Sequence, residues 1–308
     1  MSVLTFQRYQ FNLIALDSLH LSFYSGSMLR GAFGHALRHL SCVTKMDNCQ
    51  QCMLYRTCAY PAIFESPPPP QHKLQNFSQI PAPYVIEPPA LGRKDFKAGD
   101  GVTFTMVLMG NAIAQLPLII AAWEKAFEKG LSRTFSRAKL INVVQEGDGK
   151  IVYQKFTNAI LDETVPIQMT SCSLAEKVTL DLETPLRIKK RGQLVAEDLT
   201  ARDFVMSLVR RYFLLMEFHT DHYDPPDYSK FATEAEKLTI TGSLNWCDWS
   251  RYSSRQKQKM TLGGVLGQLT LEGPLQLFST VLVAGQWIHA GTKTSFGLGR
   301  YKIIEGNS

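Results

Sequence analysis

A glycine-rich stretch at residues 289–301 has the composition of a phosphate-binding loop. Its sequence, HAGTKTSFGLGRY, holds three glycines, two basic residues and four hydroxyl groups. Glycines let backbone N–H groups approach an anion closely, and basic side chains add positive charge. The residues expected to contact a phosphate are Gly291, Lys293, Gly297, Gly299 and Arg300. A tight turn that merely happens to be rich in glycine is the alternative.

Two nucleotide-binding loops do not fit this stretch. A dinucleotide-binding loop lies between a first strand and a helix, but the nine residues after Gly299 offer only one strand. A Walker A loop needs Lys and Ser or Thr after its last glycine, whereas Leu298 follows Gly297. What remains is a glycine-rich loop between a helix and a final strand.

Four cysteines, Cys42, Cys49, Cys52 and Cys58, form the pattern C-x6-C-x2-C-x5-C. The inner C-x-x-C has metal-ligand spacing, although the outer gaps are longer than in a standard zinc knuckle. A structural zinc ion is the first expectation, and an iron–sulfur cluster is an alternative because four thiolates suit it as well. Reduced cysteines without a metal would also fit the pattern, and so would redox-active cysteines. His39 lies one helical turn before Cys42 and could replace a thiolate as ligand.

The composition is that of a basic globular protein. Apolar residues make up 45% and charged residues 19% of the 308 positions, and the formal net charge is +6. This charge is compatible with a nucleic-acid partner. The start of the sequence has no signal-peptide pattern, and no apolar stretch is long enough to span a bilayer. We therefore expect a cytoplasmic protein without membrane contact, in which six cysteines do not form a secreted disulfide scaffold.

Periodicity in the first half predicts strands and helices on either side of an irregular insertion. The predicted elements are a strand at 4–15, a helix at 25–40, a strand at 101–110, a helix at 112–130 and a hairpin at 139–156. Ser25 or Ser27 is the expected cap of the first helix. The insertion, at about 42–90, is first rich in cysteine and then, at 61–90, so rich in proline that we expect an irregular surface connection.

The second half repeats the order of elements without repeating residues. It predicts a strand with a basic hairpin tip at 177–192, a helix at 200–219, a strand at 236–244, a strand, turn and short helix at 268–286, and a last strand at 298–304. Thr200 and Asp203 have the spacing of a capping box. The predicted fold class is α+β, with two tandem ferredoxin-like βαββαβ domains at 1–165 and 166–308, the Cys-rich and Pro-rich insertion lying in the first.

Several stretches together resemble one family. Residues 263–303, which include the glycine-rich loop, are similar to the C-terminal signature of the RAMP superfamily of CRISPR-associated proteins. The resemblance is closer to the endoribonucleases that process precursor CRISPR RNA, the Cas-six-type family. SMLRGAFGHALRHLSC, CAYPAIFE, PAPYVIEPP and LDLETPLRIKKRG agree with other parts of one branch. The family's double ferredoxin-like fold matches the prediction from periodicity.

The resemblance implies metal-independent RNA cleavage within a CRISPR repeat, with no cofactor for catalysis. In that reaction the 2′-hydroxyl attacks the adjacent phosphate and leaves a 2′,3′-cyclic phosphate and a free 5′-hydroxyl. Histidine suits the two proton transfers because its ordinary pKa is about 6.5. Relatives place a catalytic histidine in or just after the first helix, so His35 is the first candidate and His39 the second. His289 is a third candidate, for which packing is the favoured role.

The RNA-binding residues are expected to be basic side chains in several clusters. They are Arg30 and Arg38 on the first helix, Arg187, Lys189, Lys190 and Arg191 at the hairpin tip, Arg210 and Arg211 on the long helix, and the loop residues named above. A further basic run at 251–259 has Tyr252 interleaved for stacking. The expected partners are repeat RNA, the processed crRNA, and proteins of a CRISPR effector complex.

Two further functions stay open at the level of sequence. A non-catalytic RAMP subunit that binds guide RNA in an effector complex would share the glycine-rich loop. A metal-stapled interaction protein unrelated to RNA would share the cysteines. Only the histidines and an activity assay separate the non-catalytic subunit from the endoribonuclease.

Overall fold

The chain forms two compact units, each described here by itself. The structure, a computed structural model, describes residues 4–69, 80–132, 134–157, 159–160, 166–168, 173–190, 192–195, 198–253 and 258–304. The first unit consists of residues 6–167 and 218–220, and the second mainly of residues 168–217 and 221–308. Among the described residues, no helix combines the length and the apolar character needed to cross a membrane.

The first unit is a mixed helix-and-sheet fold built on an antiparallel sheet. Its elements are β1 (Thr5–Ala15), β2 (Leu19–Leu21), α1 (Gly26–Ser41), α2 (Ala59–Phe64), β3 (Tyr84–Glu87), β4 (Lys94–Phe96), β5 (Gly101–Met109), α3 (Leu116–Lys129), β6 (Ala138–Gln145), β7 (Ile151–Gln154), β8 (Ala159–Ile160) and β9 (Ile167–Gln168). The sheet order is β3-β5-β1-β6-β7-β8, and β9 also pairs with β1. Strands β2 and β4 form a separate pair.

The second unit has a four-stranded antiparallel sheet. Its elements are β10 (Lys177–Leu186), β11 (Ile188–Lys190), β12 (Gln193–Val195), α4 (Ala201–His219), α5 (Tyr228–Ala235), β13 (Thr239–Ser253), β14 (Gln258–Glu272), α6 (Ser279–Ile288) and β15 (Tyr301–Ile304). The sheet order is β13-β14-β10-β15, and β11 pairs with β12 in a small hairpin.

Both units have the ferredoxin-like topology. In each, the first strand is central, the third and fourth strands of the βαββαβ pattern flank it, and the second strand pairs with the third. The four core strands are β1, β3, β5 and β6 in the first unit and β10, β13, β14 and β15 in the second, and every neighbouring pair is antiparallel. The predicted fold class is therefore confirmed.

An aromatic cluster fills the core between the helices and the sheet of the first unit. The ring centroids of Phe33 on α1 and Trp123 on α3 are 5.1 Å apart, and those of Phe104 on β5 and Trp123 are 4.6 Å apart. Leu29, Phe33 and Leu37 lie on one face of α1 because helical residues three or four apart share a face, and all three are buried. Leu40, near the end of the helix, is 45% exposed.

The proline-rich segment contains a strand that the sequence analysis did not predict. Residues Tyr84–Glu87 form β3, whose four residues are all buried and pair with β5. The expectation of a wholly irregular connection at 61–90 was therefore wrong. Pro83 and Pro88 flank the strand without interrupting it, and β3 is the last strand of the sheet on its side, so it needs a hydrogen-bonding partner on one side only.

The two capping predictions had different outcomes. Thr200 and Asp203 form the predicted capping box at the start of α4, with Asp203 N–H donating to Thr200 Oγ1 at 3.1 Å and Thr200 N–H donating to Asp203 Oδ2 at 3.4 Å. Ser25 occupies the N-cap position of α1 but makes no side-chain cap hydrogen bond. Ser27 lies inside that helix, so the prediction of a serine side-chain cap there was wrong.

Candidate functional site

Two histidines lie on the exposed face of α1. His35 and His39 are one helical turn apart, and both side chains are exposed, whereas Phe33, Ala36 and Leu37 beside them point into the core. The apolar positions of α1 therefore orient the two imidazoles away from the core. This placement gives both rings access to a ligand on the surface of the unit.

The two arginines of α1 hold other parts of the same unit. The Arg30 guanidinium lies 4.0 Å from the centroid of the Phe64 ring and donates to the Phe64 carbonyl at 3.3 Å. Arg38 donates to the carbonyls of Met46 and Asp47 at 2.6 and 2.9 Å. Both side chains therefore anchor the segment that follows the helix, and the prediction that they contact RNA loses its support from geometry.

All four clustered cysteines line one small pocket. Its other lining residues include Arg38, Thr44, Leu54, Tyr55 and Tyr60. The thiols are free, because the structure has no disulfide among them. Burial raises the pKa of Cys49, whereas a hydrogen bond with Thr44 and one with the Leu54 backbone lower the pKa of Cys52. One pocket therefore holds thiols with different affinities for a proton.

The thiols are close together without being arranged as a finished metal site. Among the described residues, no three His, Cys, Asp or Glu side chains are already grouped so that they could hold a metal ion. His39 is not among the side chains that line the pocket. The alternative in which His39 is a ligand therefore has no geometric support, and His39 stays a candidate for proton transfer.

Backbone contacts within the second unit explain the glycines of the predicted phosphate loop. Gly291 has φ +79° and Gly299 has φ +75°, a region that favours glycine. A Cβ atom at Gly291 would collide with the Arg187 carbonyl, and one at Gly299 would collide with the Ala290 carbonyl. The loop is held against the end of β10, since Gly299 N–H donates to the Pro185 carbonyl at 3.1 Å and Thr292 N–H donates to the Arg187 carbonyl at 2.8 Å. These two glycines are needed for close packing, whether or not RNA binds.

Gly297 and Arg300 are also tied to β10. Thr184 Oγ1 donates to the Gly297 carbonyl at 2.8 Å and accepts from Arg300 N–H at 2.8 Å. Arg300 Nε lies 2.6 Å from Glu183 Oε2, and Lys302 Nζ lies 2.6 Å from Glu183 Oε1. The charge of Arg300 is therefore balanced within its own unit. Lys293 is the exposed cation of the loop, with Nζ 5.7 Å from the centroid of the Phe296 ring.

His289 has a structural position. It is fully buried, and its Nδ1 lies 3.3 Å from the Leu298 carbonyl oxygen. Its backbone has φ +62° and ψ 155°, a conformation that side chains rarely adopt and that ends α6 sharply. Packing, the favoured role for this residue, agrees with that burial.

The remaining basic candidates differ widely in exposure. Lys189 and Lys190 are exposed on β11, where Lys190 Nζ lies 3.2 Å from Asp203 Oδ2. Arg210 is exposed on α4, but Arg211 turns inward and its Nε donates to the Ile288 carbonyl at 2.8 Å. Arg187 is buried, with its guanidinium 6.0 Å from the centroid of the Trp249 ring. Burial of Arg187 and the contact of Arg211 with the Ile288 carbonyl favour a structural role for both. Arg191 lies outside the described residues.

The sequence analysis missed the residues that hold the loop. Glu183 and Thr184 both contact the C-terminal part of the loop, as described above, and neither was singled out. The sequence does show two adjacent polar residues at the end of an alternating strand, just before Pro185, which could have indicated a role for them. Without the pairing of β10 with β15, that signal does not say what the two side chains contact.

Two family models match this chain. The AF_1859 N-terminal domain matches residues 4–165, and the model described as CRISPR-associated endoribonuclease Cas6 matches residues 180–301. The chain is a Cas6-type CRISPR-associated protein. The resemblance inferred from the sequence is thus confirmed. The Cas6 match includes the glycine-rich loop and β10, and the match to the N-terminal domain, which spans more than half of the chain, includes α1 and the cysteine pocket.

Known relatives are similar to the chain over nearly its whole length. An uncharacterized protein of Archaeoglobus fulgidus is 24% identical over 291 residues, covering 92% of this chain and 93% of the relative. A product complex of Cas6 from Thermus thermophilus superposes with a TM-score of 0.62 at 14% identity, covering 97% of this chain and all of that one. A partial Cas6-RT-Cas1–Cas2 complex gives a TM-score of 0.61 at 14% identity, covering all of this chain but 47% of the longer one.

Proposed function

We propose that this chain is a CRISPR endoribonuclease that cleaves precursor crRNA within its repeats. The Cas6 family match supports RNA cleavage as the general activity. The exposed pair of imidazoles on α1 is the observation that supports a specific catalytic site. Neither His35 nor His39 is needed to fill the core, and both are free to reach a substrate on the surface of the unit.

The proposed reaction begins with attack of a ribose 2′-hydroxyl on the neighbouring phosphate. One imidazole accepts the 2′-hydroxyl proton or donates a proton to the departing 5′-oxygen, and the products are a 2′,3′-cyclic phosphate and a 5′-hydroxyl. The nucleophile is part of the substrate, so the step needs no metal-activated water. We assign the main proton transfer to His35 and a supporting role to His39.

Binding of the RNA backbone is proposed for the exposed cations of the second unit. Lys189, Arg210 and Lys293 are exposed and could neutralise phosphates, whereas Lys190 is exposed but already paired with Asp203. Arg300, Arg187, Arg211 and the two arginines of α1 already serve contacts within their own units, which supports a role in shaping the surface. The processed crRNA is the proposed product ligand, and other CRISPR proteins are proposed partners, since a similar chain is part of a Cas6-RT-Cas1–Cas2 complex.

Cleavage of repeat RNA after brief exposure to EDTA tests this function. We expect cleavage to continue, with a cyclic phosphate on the upstream product. A matched RNA with a 2′-deoxy group at the scissile nucleotide should bind equally well but remain uncut, because the nucleophile is missing. Cutting of the deoxy substrate would contradict the mechanism. Binding of the all-ribose repeat without any cleavage would instead support the non-catalytic RAMP subunit.

A further inference from the structure

The cysteine-rich segment has no hydrophobic core of its own. From Cys42 to Ala59, all of which the structure describes, no residue is buried. Val43 is 80% exposed and Met53 is 90% exposed, so neither of these side chains stabilises the segment. Its contacts with the core of the unit are made by partly buried side chains, Cys49 and Cys58 among them, so a further link between its thiols would stabilise the segment.

The thiols occupy the points at which this segment joins the surrounding helices. Cys42 follows α1 directly, and Cys58 directly precedes α2. Cys49 and Cys52 bracket a single helical turn, in which Asn48 Oδ1 accepts from Gln50 N–H at 2.9 Å and Cys52 N–H donates to the Cys49 carbonyl at 3.0 Å. The backbone thus brings side chains that are distant in sequence to a single pocket.

The pocket has the size and the chemistry for one soft metal ion. Its volume is about 20 Å³, which is close to the space that one water molecule requires. Four thiols and no carboxylate or imidazole line it. Thiolates select zinc and other soft metals over magnesium or calcium, and four of them form a tetrahedral zinc site.

We propose that Cys42, Cys49, Cys52 and Cys58 bind one structural zinc ion as thiolates. The thiols in this structure are not grouped around a common point, so binding requires them to move together and lose their protons. All four line the same pocket, which limits how far they have to move. The bound ion then links the four thiols and stabilises the conformation of the segment.

The zinc ion would also fix the last turn of α1. Cys42 is bonded to that turn through its N–H, which donates to the Arg38 carbonyl at 2.9 Å. The Arg38 side chain in turn holds the carbonyls of Met46 and Asp47. His39 lies within this turn, so loss of the ion would loosen the backbone that carries it without removing any group that touches RNA.

Metal analysis of the full chain tests the proposal directly. After purification without chelators, we expect about one zinc per chain. Replacement of zinc by Co²⁺ should give the intense visible absorption of tetrahedral cobalt and an ultraviolet thiolate-to-cobalt band. Protein with neither zinc nor a thiolate-bound cobalt spectrum would overturn the proposal, and so would stoichiometric iron with sulfide. These readouts are independent of RNA cleavage, so a metal site and the proposed nuclease activity can fail separately.

Single substitutions locate the site. Cys49→Ser and Cys58→Ser should each lower the zinc content and shift the cobalt spectrum, and both should lower Tm. Cys247→Ser is the matched control, because that thiol is also partly buried but lies on β13 of the other unit. Loss of zinc from the Cys247 variant alone would place the metal elsewhere and overturn the proposal. If a cluster variant does not fold, the cobalt spectrum of the unmodified chain still decides the question.

Discussion

Helices α1 and α4 occupy the same position in the two ferredoxin-like units but are stabilised in different ways. Each follows the first strand of its unit. The start of α4 has a complete capping box and an acidic residue, Asp203, in its first turn. The start of α1 has neither a side-chain cap hydrogen bond nor an acidic residue in the first turn. Helix α4 therefore contributes its own terminal stabilisation, whereas α1 depends more on contacts with the rest of the unit.

Those contacts explain how α1 can carry chemistry on its surface. Phe33 and Leu37 are fully buried, and Gly34 lies so close to the Phe64 ring that a Cβ atom would collide with it. One face of α1 is thus fixed by packing, and the opposite face can carry His35 and His39 without a role in stability. On α4, by contrast, the exposed residue is a cation, Arg210, and the neighbouring Arg211 donates a hydrogen bond to the Ile288 carbonyl. The same scaffold position presents imidazoles in one unit and a guanidinium in the other.

The largest effect is expected from the histidines of α1. Replacing His35 by Ala should lower the single-turnover cleavage rate of repeat RNA by about 10²–10⁴-fold, because general acid–base catalysis contributes an effect of that size. His39→Ala should cause a smaller loss. Neither change should lower Tm, since both side chains are exposed and alanine is favourable in a helix.

An exposed histidine elsewhere in the same unit provides the control. His20 lies on β2, where its Nδ1 is 2.6 Å from Asp95 Oδ1. His20→Ala should cleave at the normal rate and bind RNA normally. Full activity in both α1 variants would end the assignment of catalysis to this helix, and a rate loss accompanied by an equal loss of folded protein would make the effect structural.

An intermediate effect is expected from the cap of α4. Thr200→Ala should lower the free energy of unfolding by about 1 kcal/mol, the typical cost of removing a threonine cap. Ser25→Ala is the matched substitution on α1 and should change stability by only a few tenths of a kcal/mol, because Ser25 makes no side-chain cap hydrogen bond. Equal losses in urea-denaturation measurements of the two variants would contradict the difference between the helices.

The pH dependence of the same pair sharpens this test. Burial acts to raise the pKa of Asp203, but hydrogen bonds from Thr200 and Lys190 outweigh it, so the pKa lies below its ordinary value of 3.8. A carboxylate whose pKa is lower in the folded state than in the unfolded state stabilises the fold at pH values above its unfolded-state pKa. This contribution disappears as the pH falls through the folded-state pKa. The stability difference between the unmodified chain and Thr200→Ala should therefore be full at neutral pH and smaller below pH 3.8.

Alternation and helical spacing were sufficient to predict the fold because the same residues that form the elements also fill the cores. The strand at 101–110 and the helix at 200–219 could be predicted for this reason. Strand β3 could not be predicted, because prolines at both of its ends are typical of irregular structure and the buried segment between them has only four residues. Such a strand is recognisable only once its pairing with β5 is known.

The candidate site was predictable only in part, because residue type does not reveal the partner of a side chain. The spacing of His35 and His39 predicted a shared face, and packing of Phe33 left that face exposed. The basic residues were less informative, since Arg38 and Arg300 carry the same charge as Arg210 but are held by carbonyl oxygens and by Glu183. These contacts depend on how the chain folds around each side chain and cannot be read from residue type.

The smallest effect is expected from Arg210, and it tests whether exposure on α4 means contact with RNA. Arg210→Ala should weaken binding of repeat RNA modestly and reduce the slope of log affinity against log salt by about one, because one phosphate contact is lost. Arg202 is the control on the same helix, since its Nε lies 2.8 Å from Glu236 Oε1 and its charge is already balanced. Arg202→Ala should leave the salt slope unchanged. If both variants changed the slope equally, the exposed cations of α4 would act through net charge alone, and the proposed specific contact of Arg210 with RNA would be contradicted.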